Sequence, residues 1–284
     1  MKKVLILTTD LEKHGRLRDL FPNGEVEVSV HLYSDLAFFI NGVNSSVTLF
    51  STGEDIKEFS KVIVLLTPAH SENFIFNALA CYCRKNNIPM FDDEYTNTSS
   101  KLYALWRFWE NDIPVAKTAF GPVEFMCQKL NELGETCIVK STHGTKGRDS
   151  YLIHNETELR DALNHEGHYV LQNYVENDGD WRIIVINYEP KLAIYRSSHG
   201  RDYRNNTSLG GDAKLTPLSE VDPRVLELAS KAARAVSIKI AGADVITDKN
   251  TGECSVLEIN RTPQLVTGSY LDEKTAVLRE FIES

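Results

Sequence analysis

Ala241-Gly242-Ala243-Asp244-Val245-Ile246-Thr247 and Cys254-Ser255-Val256-Leu257-Glu258-Ile259-Asn260 are two apolar runs that carry acidic and amide side chains away from their junction. Between them Asp248-Lys249-Asn250-Thr251-Gly252 is built of turn formers. The pattern predicts a β-hairpin centred near Thr251, with Asp244 opposite Glu258. Glu258 and Asn260 are two residues apart, so they project from one face. Two carboxylates and an amide oxygen then converge among Val245, Ile246, Val256, Leu257 and Ile259. Carboxylates left unpaired in such a setting are costly. A hard cation removes the cost, and an all-oxygen set suits magnesium, with phosphate supplying further ligands. A solvated polar face on an edge hairpin is the alternative.

A second hairpin precedes this one. Strands from Asp180 to Asn187 and from Lys191 to Ser198 flank Tyr188-Glu189-Pro190. Centred on that turn, the register puts Arg182 opposite Arg196, both on one face. Like charges directly opposite each other are destabilising, so the pair predicts a shared anion, either a phosphate or a carboxylate. Two exposed arginines with separate acidic partners are the alternative.

The segment between the hairpins, Ser198-His199-Gly200-Arg201-Asp202-Tyr203-Arg204-Asn205-Asn206, is polar and basic and ends in Gly210-Gly211. Such a loop can close over a bound anion, or be no more than a surface excursion. Farther upstream, Cys137-Ile138-Val139-Lys140 is an apolar strand ending in lysine. It opens into a loop holding Gly144, Thr145, Lys146 and Gly147. Glycine lets backbone N–H groups approach phosphate oxygens, with Lys140 beside them as a point charge. The loop lacks the G-K-[ST] ending of a P-loop, and a plain surface turn is the alternative.

Residues 1–95 alternate strands and helix: Val4 to Leu7, Glu25 to Val30, Val62 to Leu66, a helix from Glu72 to Lys85, and a short strand Ile88-Pro89-Met90-Phe91. That order predicts a mainly parallel sheet. No G-x-G-x-x-G follows the first strand, so no dinucleotide is assigned. A helix capped by Thr98 or Ser99 follows, with Leu102, Leu105, Trp106 and Trp109 as its apolar face, ending near Asn111-Asp112 before Ile113-Pro114. A further α/β stretch runs from Val115 to Gln172.

A chain of 284 residues predicts two or three compact units. Its net charge of -9 argues against sequence-independent binding to nucleic acid. The five cysteines (Cys81, Cys83, Cys127, Cys137, Cys254) are odd in number and scattered, which predicts a reducing, cytoplasmic setting. The opening apolar run Val4 to Leu7 is too short for a signal peptide, and no run nears the roughly 20 residues that cross a bilayer. No histidine falls in a G-x-S-x-G-type or H-E-x-x-H setting.

The order of these pieces resembles the RimK-like ATP-grasp ligases, and more distantly glutathione-synthetase-type enzymes, from Ser99 to Leu265. Ser100-Lys101 with Ile113-Pro114-Val115-Ala116-Lys117-Thr118 is similar to the family's lysine helix and the segment after it. Lys140 with Gly144-Thr145-Lys146-Gly147 resembles its second lysine and glycine loop. Leu171-Gln172-Asn173-Tyr174-Val175 resembles its adenine hinge, and Asp180-Trp181-Arg182 the D-x-R that follows. Arg196 with Tyr203-Arg204-Asn205-Asn206 resembles its arginine–asparagine region, and Asp244, Glu258 and Asn260 its metal motif. Three departures stand out: Asn173 where glutamate is common, a short hinge-to-Asp180 segment that makes Asp178 a rival for the ribose, and Arg261 after the metal motif.

The resemblance implies an α/β (α+β) ATP-grasp fold with a Rossmann-like pre-ATP-grasp domain at 1–95 and an ATP-grasp domain at 96–284. The latter divides into a small lid at 115–172 and a C-terminal subdomain at 173–284. It implies ATP bound by Lys101, Lys140, Gly144, Thr145, Lys146, Gly147, Gln172, Asn173, Tyr174, Val175, Asp180, Asn205 and Asn206. Two magnesium ions (manganese as the alternative) would sit on Asp244, Glu258 and Asn260, and Arg182, Arg196 and Arg204 would be catalytic. The implied substrates are a small-molecule carboxylate and amine, or a peptide, without nucleic acid or membrane, in a homo-oligomer. Two further readings stay open: a ligase closing side-chain esters or amides on a precursor peptide, and a nucleotide-binding module without catalysis.

Overall fold

The computed structural model describes residues 2–21, 26–41, 44–65, 73–91, 100–142, 150–163, 168–198, 205, 211–261 and 263–284. Contacts divide the chain into two units. One holds 1–96, 238–240 and 261–284, the other 97–237 and 241–260.

In the first unit β1 (Lys2–Thr8) lies between β2 (Val26–Leu32) and β5 (Lys61–Val64), parallel to both. A one-turn helix, α1 (Leu11–His14), follows β1. Val4, Leu5, Ile6 and Leu7 are fully buried, as a central parallel strand requires. Helix α2 (Asn73–Lys85) sends Phe76, Leu79, Ala80 and Cys83 into the same core. The expected strand at 88–91 reduces to one bridge between Val62 and Met90. Pro89, which has no N–H, contributes only its carbonyl, accepting from the Val62 N–H at 2.8 Å. A hairpin of β3 (Leu36–Asn41) and β4 (Asn44–Leu49) stands where the sequence pattern predicts nothing. The terminal helix Leu271–Glu283 belongs to this unit and buries Lys274, Leu278 and Ile282.

The second unit opens with α3 (Lys101–Glu110), whose N-cap position is Ser100 without a side-chain capping bond; the expected caps Thr98 and Ser99 lie outside the described residues. Its buried stripe is Ala104, Leu105 and Phe108. Trp106 and Trp109 are instead 58% and 67% exposed and pack edge to face. The expected apolar face is thus corrected: residues 101, 104, 105 and 108 share one side of the helix, and that side also carries Lys101.

Two sheets follow. An antiparallel one has the order β6 (Thr118–Ala119), β9 (Tyr169–Asn173), β7 (Cys137–Ser141), β8 (Ser150–Ile153). Helices α4 (Val123–Leu133) and α5 (Glu156–Ala162) cover it, with Met126, Leu133, Leu159 and Leu171 in their shared core. The other sheet has the order β12 (Asp212–Thr216), β11 (Glu189–Ser197), β10 (Asp180–Ile186), β13 (Ile240–Thr247), β14 (Cys254–Asn260). Helix α6 (Pro223–Ala235) approaches it on small buried residues, Ala229, Ala232 and Ala233. Among the described residues no helix is long and apolar enough to cross a membrane.

Candidate active site

The β13–β14 hairpin is set by its turn. The Asp248 carboxylate accepts from the N–H groups of Asn250 (2.8 Å) and Thr251 (3.1 Å), and Gly252 takes a φ of 71°. From that turn the pairs run Thr247–Cys254, Ile246–Ser255 and Val245–Val256. Continued unbroken, they would put Leu257 opposite Asp244. A β-bulge after Val245 absorbs Leu257, and Asp244 faces Glu258 as the sequence predicts.

The β10–β11 hairpin differs from its predicted register. Asn187 (φ 51°) and Tyr188 (φ 67°) form a two-residue turn, earlier than the expected Tyr188-Glu189-Pro190. With a bulge at Ile184/Val185, Asp180 lies opposite Arg196, and Arg182 opposite Ile194. The two arginines keep a common face, but the predicted direct opposition is corrected to a diagonal.

Their shared anion is internal. Arg182 grips Asp244 in a fork, through Nε to Oδ1 and through Nη2 to Oδ2 at 2.9 Å. Arg196 donates Nε to Asp180 Oδ1 at 3.0 Å and Nη2 to Asp180 Oδ2, and the same Nη2 lies 3.2 Å from Asp244 Oδ2. Arg196, Asp180 and Asp244 are only 6%, 4% and 4% exposed. Two carboxylates therefore balance two guanidiniums in a buried quartet, the condition under which buried charge is tolerated. Burial pushes the Asp244 carboxyl up, but Arg182 and Arg196 outweigh it and hold the group below its ordinary range. At Asp180 burial dominates and raises the carboxyl. Burial opposes the Arg196 charge, but Asp244 and Asp180 outweigh it and raise that group.

The remaining oxygens lie beside the quartet. Asn260 Nδ2 is 2.8 Å from Glu258 Oε1 and 3.5 Å from Asp244 Oδ2. The amide thus sets partial positive charge between two carboxylates. A cation would suit the same place, with the amide turned to present its oxygen. Among the described residues no group of three or more His, Cys, Asp or Glu is placed to hold a metal; Asp244, Glu258 and Asn260 bring together two carboxylates and one amide. Lys101 Nζ stands 3.8 Å from Glu258 Oε2, and the Lys101 N–H donates to Thr142 O at 3.2 Å, tying α3 to the end of β7. Lys140, on β7, feels Glu258, Asp244 and Asp180 as well as Lys101. Burial is the largest influence on it and pushes its ammonium below the ordinary lysine range.

Two arginines and an oxygen cluster on adjacent hairpins thus lie beside Lys101 of α3, and Lys140 of β7 feels the same carboxylates. The model of the RimK-like ATP-grasp domain matches residues 101–284. This chain belongs to the RimK-like ATP-grasp ligase family. A probable alpha-L-glutamate ligase of Cellvibrio japonicus is 23% identical over 249 residues, 83% of this chain and 79% of that protein. A tetrahydromethanopterin:alpha-L-glutamate ligase of Methanosarcina acetivorans is 30% identical over 199 residues, 59% of this chain and 60% of that protein. Among solved structures, the ATP-grasp ligase PsnB with minimal precursor, Mg and ADP aligns at a TM-score of 0.76 and 14% identity, covering 99% of this chain and 96% of that one. The fold is therefore the expected α+β ATP-grasp fold.

In this RimK-like ligase the segment expected to form the adenine hinge is largely occupied by its own sheet. Gln172 is 4% exposed and donates Nε2 to Thr118 Oγ1 at 2.8 Å. The N–H groups of Asn173 and Tyr174 donate to Lys117 O (3.0 Å) and Thr136 O (2.9 Å). The Val175 N–H has no such partner among the described residues. Asn173 Oδ1 is buried and accepts no hydrogen bond among the described residues. Asp180, expected at the nucleotide, has both oxygens on Arg196. Asn205 accepts from the Ser198 N–H at 3.2 Å. Gly144, Thr145, Lys146, Gly147, Arg204 and Asn206 lie outside the described residues.

Sequence reasoning missed Gly179 and Asn177. A Cβ on Gly179 would stand 2.4 Å from Arg196 O and 2.6 Å from the Tyr195 ring, so only glycine lets this strand pass the arginine's backbone. The available signal was a glycine between two acids in a short connection.

Proposed function

We propose that this RimK-like ligase uses ATP to activate a carboxylate as an acyl phosphate and joins it to an amine, with an amino acid such as glutamate in the new amide. The observation that carries it is the convergence of Arg182, Arg196 and Asp180 from one hairpin with Asp244, Glu258 and Asn260 from the next. The glutamate-ligase names of its relatives support the amino acid.

Lys101 and Lys140 neutralise phosphate charge, and the Val175 N–H meets the base. The 115–172 sheet, with Gly144, Thr145, Lys146 and Gly147, acts as the lid over the 173–284 subdomain, and 1–95 is the pre-ATP-grasp domain. Asp244, Glu258 and Asn260 would hold magnesium as a pair of ions, with manganese as substitute. When bound, magnesium would supply positive charge against the phosphate charge of the transition state. The substrate carboxylate attacks the γ-phosphorus and ADP departs. The amine then attacks the acyl carbon, losing a proton, and phosphate departs. Arg196 is braced on Nε and Nη2, which leaves Nη1 to steady the acyl phosphate and the tetrahedral oxyanion, with Arg182 and Arg204 assisting. Holding donors fixed before charge develops is the main catalytic contribution here. The five free cysteines support a cytoplasmic setting.

Incubation with ATP, magnesium and pairs of amino acids, cofactors or peptides is expected to release phosphate and ADP. AMP with pyrophosphate would overturn the acyl-phosphate route. The likeness to PsnB with its minimal precursor favours a second reading, in which the bond closes within a precursor peptide. A product lighter by one water supports it, whereas a gain of one amino acid supports the first. The joint presence of Lys101, Lys140, Arg196, Asp244, Glu258 and Asn260 argues against a non-catalytic module. Tight ATP binding without turnover on any pool would restore that reading.

A further inference from the structure

The connection Val175–Gly179 is short, yet each end of the site is tied to it. The Glu176 carbonyl accepts the Lys249 N–H at 2.9 Å, and the two side chains pair at 3.0 Å, so the connection is fastened to the turn of the metal hairpin. Gly179 lies against the backbone of Arg196. Between these, Asn177 uses both ends of its amide. Nδ2 donates to Val175 O at 2.8 Å, and Oδ1 accepts Asn205 Nδ2 at 2.9 Å. Asn205 Oδ1 in turn accepts the Ser198 N–H at 3.2 Å. Three hydrogen bonds thus run from the Val175 carbonyl to Ser198, just past the end of β11 and two residues beyond Arg196.

We propose that Asn177 is a positioning residue that couples the nucleotide-base segment at Val175 to Asn205 and the end of β11. An amide suits the task because it is donor and acceptor at once, and neither aspartate nor leucine is both. The direction is set by its partners. The donor end fixes the Val175 carbonyl and so restricts the backbone of the residue whose N–H is proposed to meet the base, while the acceptor end fixes Asn205 and through it the end of β11. Occupation of one end then orders the other, because ordering already made need not be made again. This rests on the proposed function for the identity of the ligand, but the relay itself does not.

The test uses the full chain with Asn177→Ala, Asn177→Asp, Asn205→Ala and the Asn177/Asn205 double alanine variant. Amide hydrogen exchange in nucleotide-free protein reads the relay. The Ser198 N–H is expected to exchange at least tenfold faster in Asn177→Ala, with β1 and β13 unchanged, and an unchanged Ser198 rate overturns the relay. Magnesium-ADP and magnesium-triphosphate titrations read the coupling. Asn177→Ala and Asn177→Asp are each expected to weaken ADP about tenfold, or ~1.4 kcal/mol, and triphosphate by less than twofold. The double variant is expected to match Asn177→Ala alone, since a broken relay has no second link to lose. Equal loss for both ligands, or additive losses, overturns the positioning role and points to general loosening. Failure of the wild-type chain to bind ADP overturns the functional proposal, while the Ser198 exchange rate still decides the relay.

Discussion

Hairpins β10–β11 and β13–β14 lie in one sheet and each contains one bulge, yet they divide the chemistry unequally. The first holds Asp180, Arg182 and Arg196, and its charges are balanced only when Asp244 reaches across from the second. The second also carries Glu258 and Asn260, half-buried and lightly paired. One region is locked by ion pairs that Asp244 of the other completes, and the other keeps the Glu258 and Asn260 oxygens available for a ligand. The contrast separates residues whose loss harms the fold from residues whose loss harms only the reaction.

Asp244→Asn breaks the contrast most severely. It leaves two guanidiniums facing Asp180 alone, and removing one partner of a buried ion network costs about 3–5 kcal/mol. Chemical denaturation is expected to show that loss together with abolished turnover. An unchanged midpoint would show that the quartet does not need its central carboxylate. Sequence alone marks Asp244 as a cation ligand, and its placement between Arg182 and Arg196 adds this structural duty. Glu258→Gln sharpens the contrast. Its partner Lys101 is partly exposed, so stability is expected to change by less than about 0.5 kcal/mol, while turnover falls about 10²–10³-fold and the magnesium requirement rises. Turnover that survives both this change and chelation of magnesium would remove Glu258 from the metal set.

Gly179→Ala acts on the locked hairpin alone. Forcing a methyl group against Arg196 O and the Tyr195 ring is expected to cost about 1–3 kcal/mol in thermal unfolding and to lower turnover, because the arginine backbone must move. Wild-type stability would mean that β11 yields without strain. The smallest effect concerns Lys140, whose ammonium burial depresses. The charged form is the one that meets phosphate, so ADP affinity is expected to fall as pH rises through the lowered folded value, earlier than for an exposed lysine. The stability sign is the reverse. The contribution is present above the ordinary lysine pKa and is lost as pH falls through the folded value. Lys140→Arg is expected to move the alkaline limb of the ADP binding curve to higher pH, since arginine keeps its charge. A limb that does not move assigns the titration to another group.

The same two hairpins show what a sequence reveals. Asp248 and Gly252 advertise their turn, so the pairing of Asp244 with Glu258 is legible. The bulge that completes the pairing is not, because nothing about Leu257 marks it as the extra residue. In β10–β11 the turn falls on Asn187 and Tyr188, and a left-handed tyrosine leaves no signal in composition. Helix α3 presents two apolar stripes, and hydrophobicity cannot choose between Trp106 with Trp109 and Leu105 with Phe108. The demand that Lys101 face Glu258 does choose. The parallel sheet of the first unit was legible from its buried apolar runs, whereas β3–β4 was not, since Phe38, Phe39 and Ile40 are consecutive and exposed and alternate with nothing polar. Asn177 escaped because an amide in a connection has no periodicity to betray it.

The bulge at Asp244/Val245 bears on how this chain can drift over generations. Shortening β14 by one residue between Val256 and Glu258 would turn the bulged ladder into a regular one and still leave Asp244 facing Glu258. Lengthening it by one would bring an apolar neighbour to that place unless the bulge grew. The hairpin therefore holds one residue of slack in a single direction, so descendants can lose a residue here without losing the site.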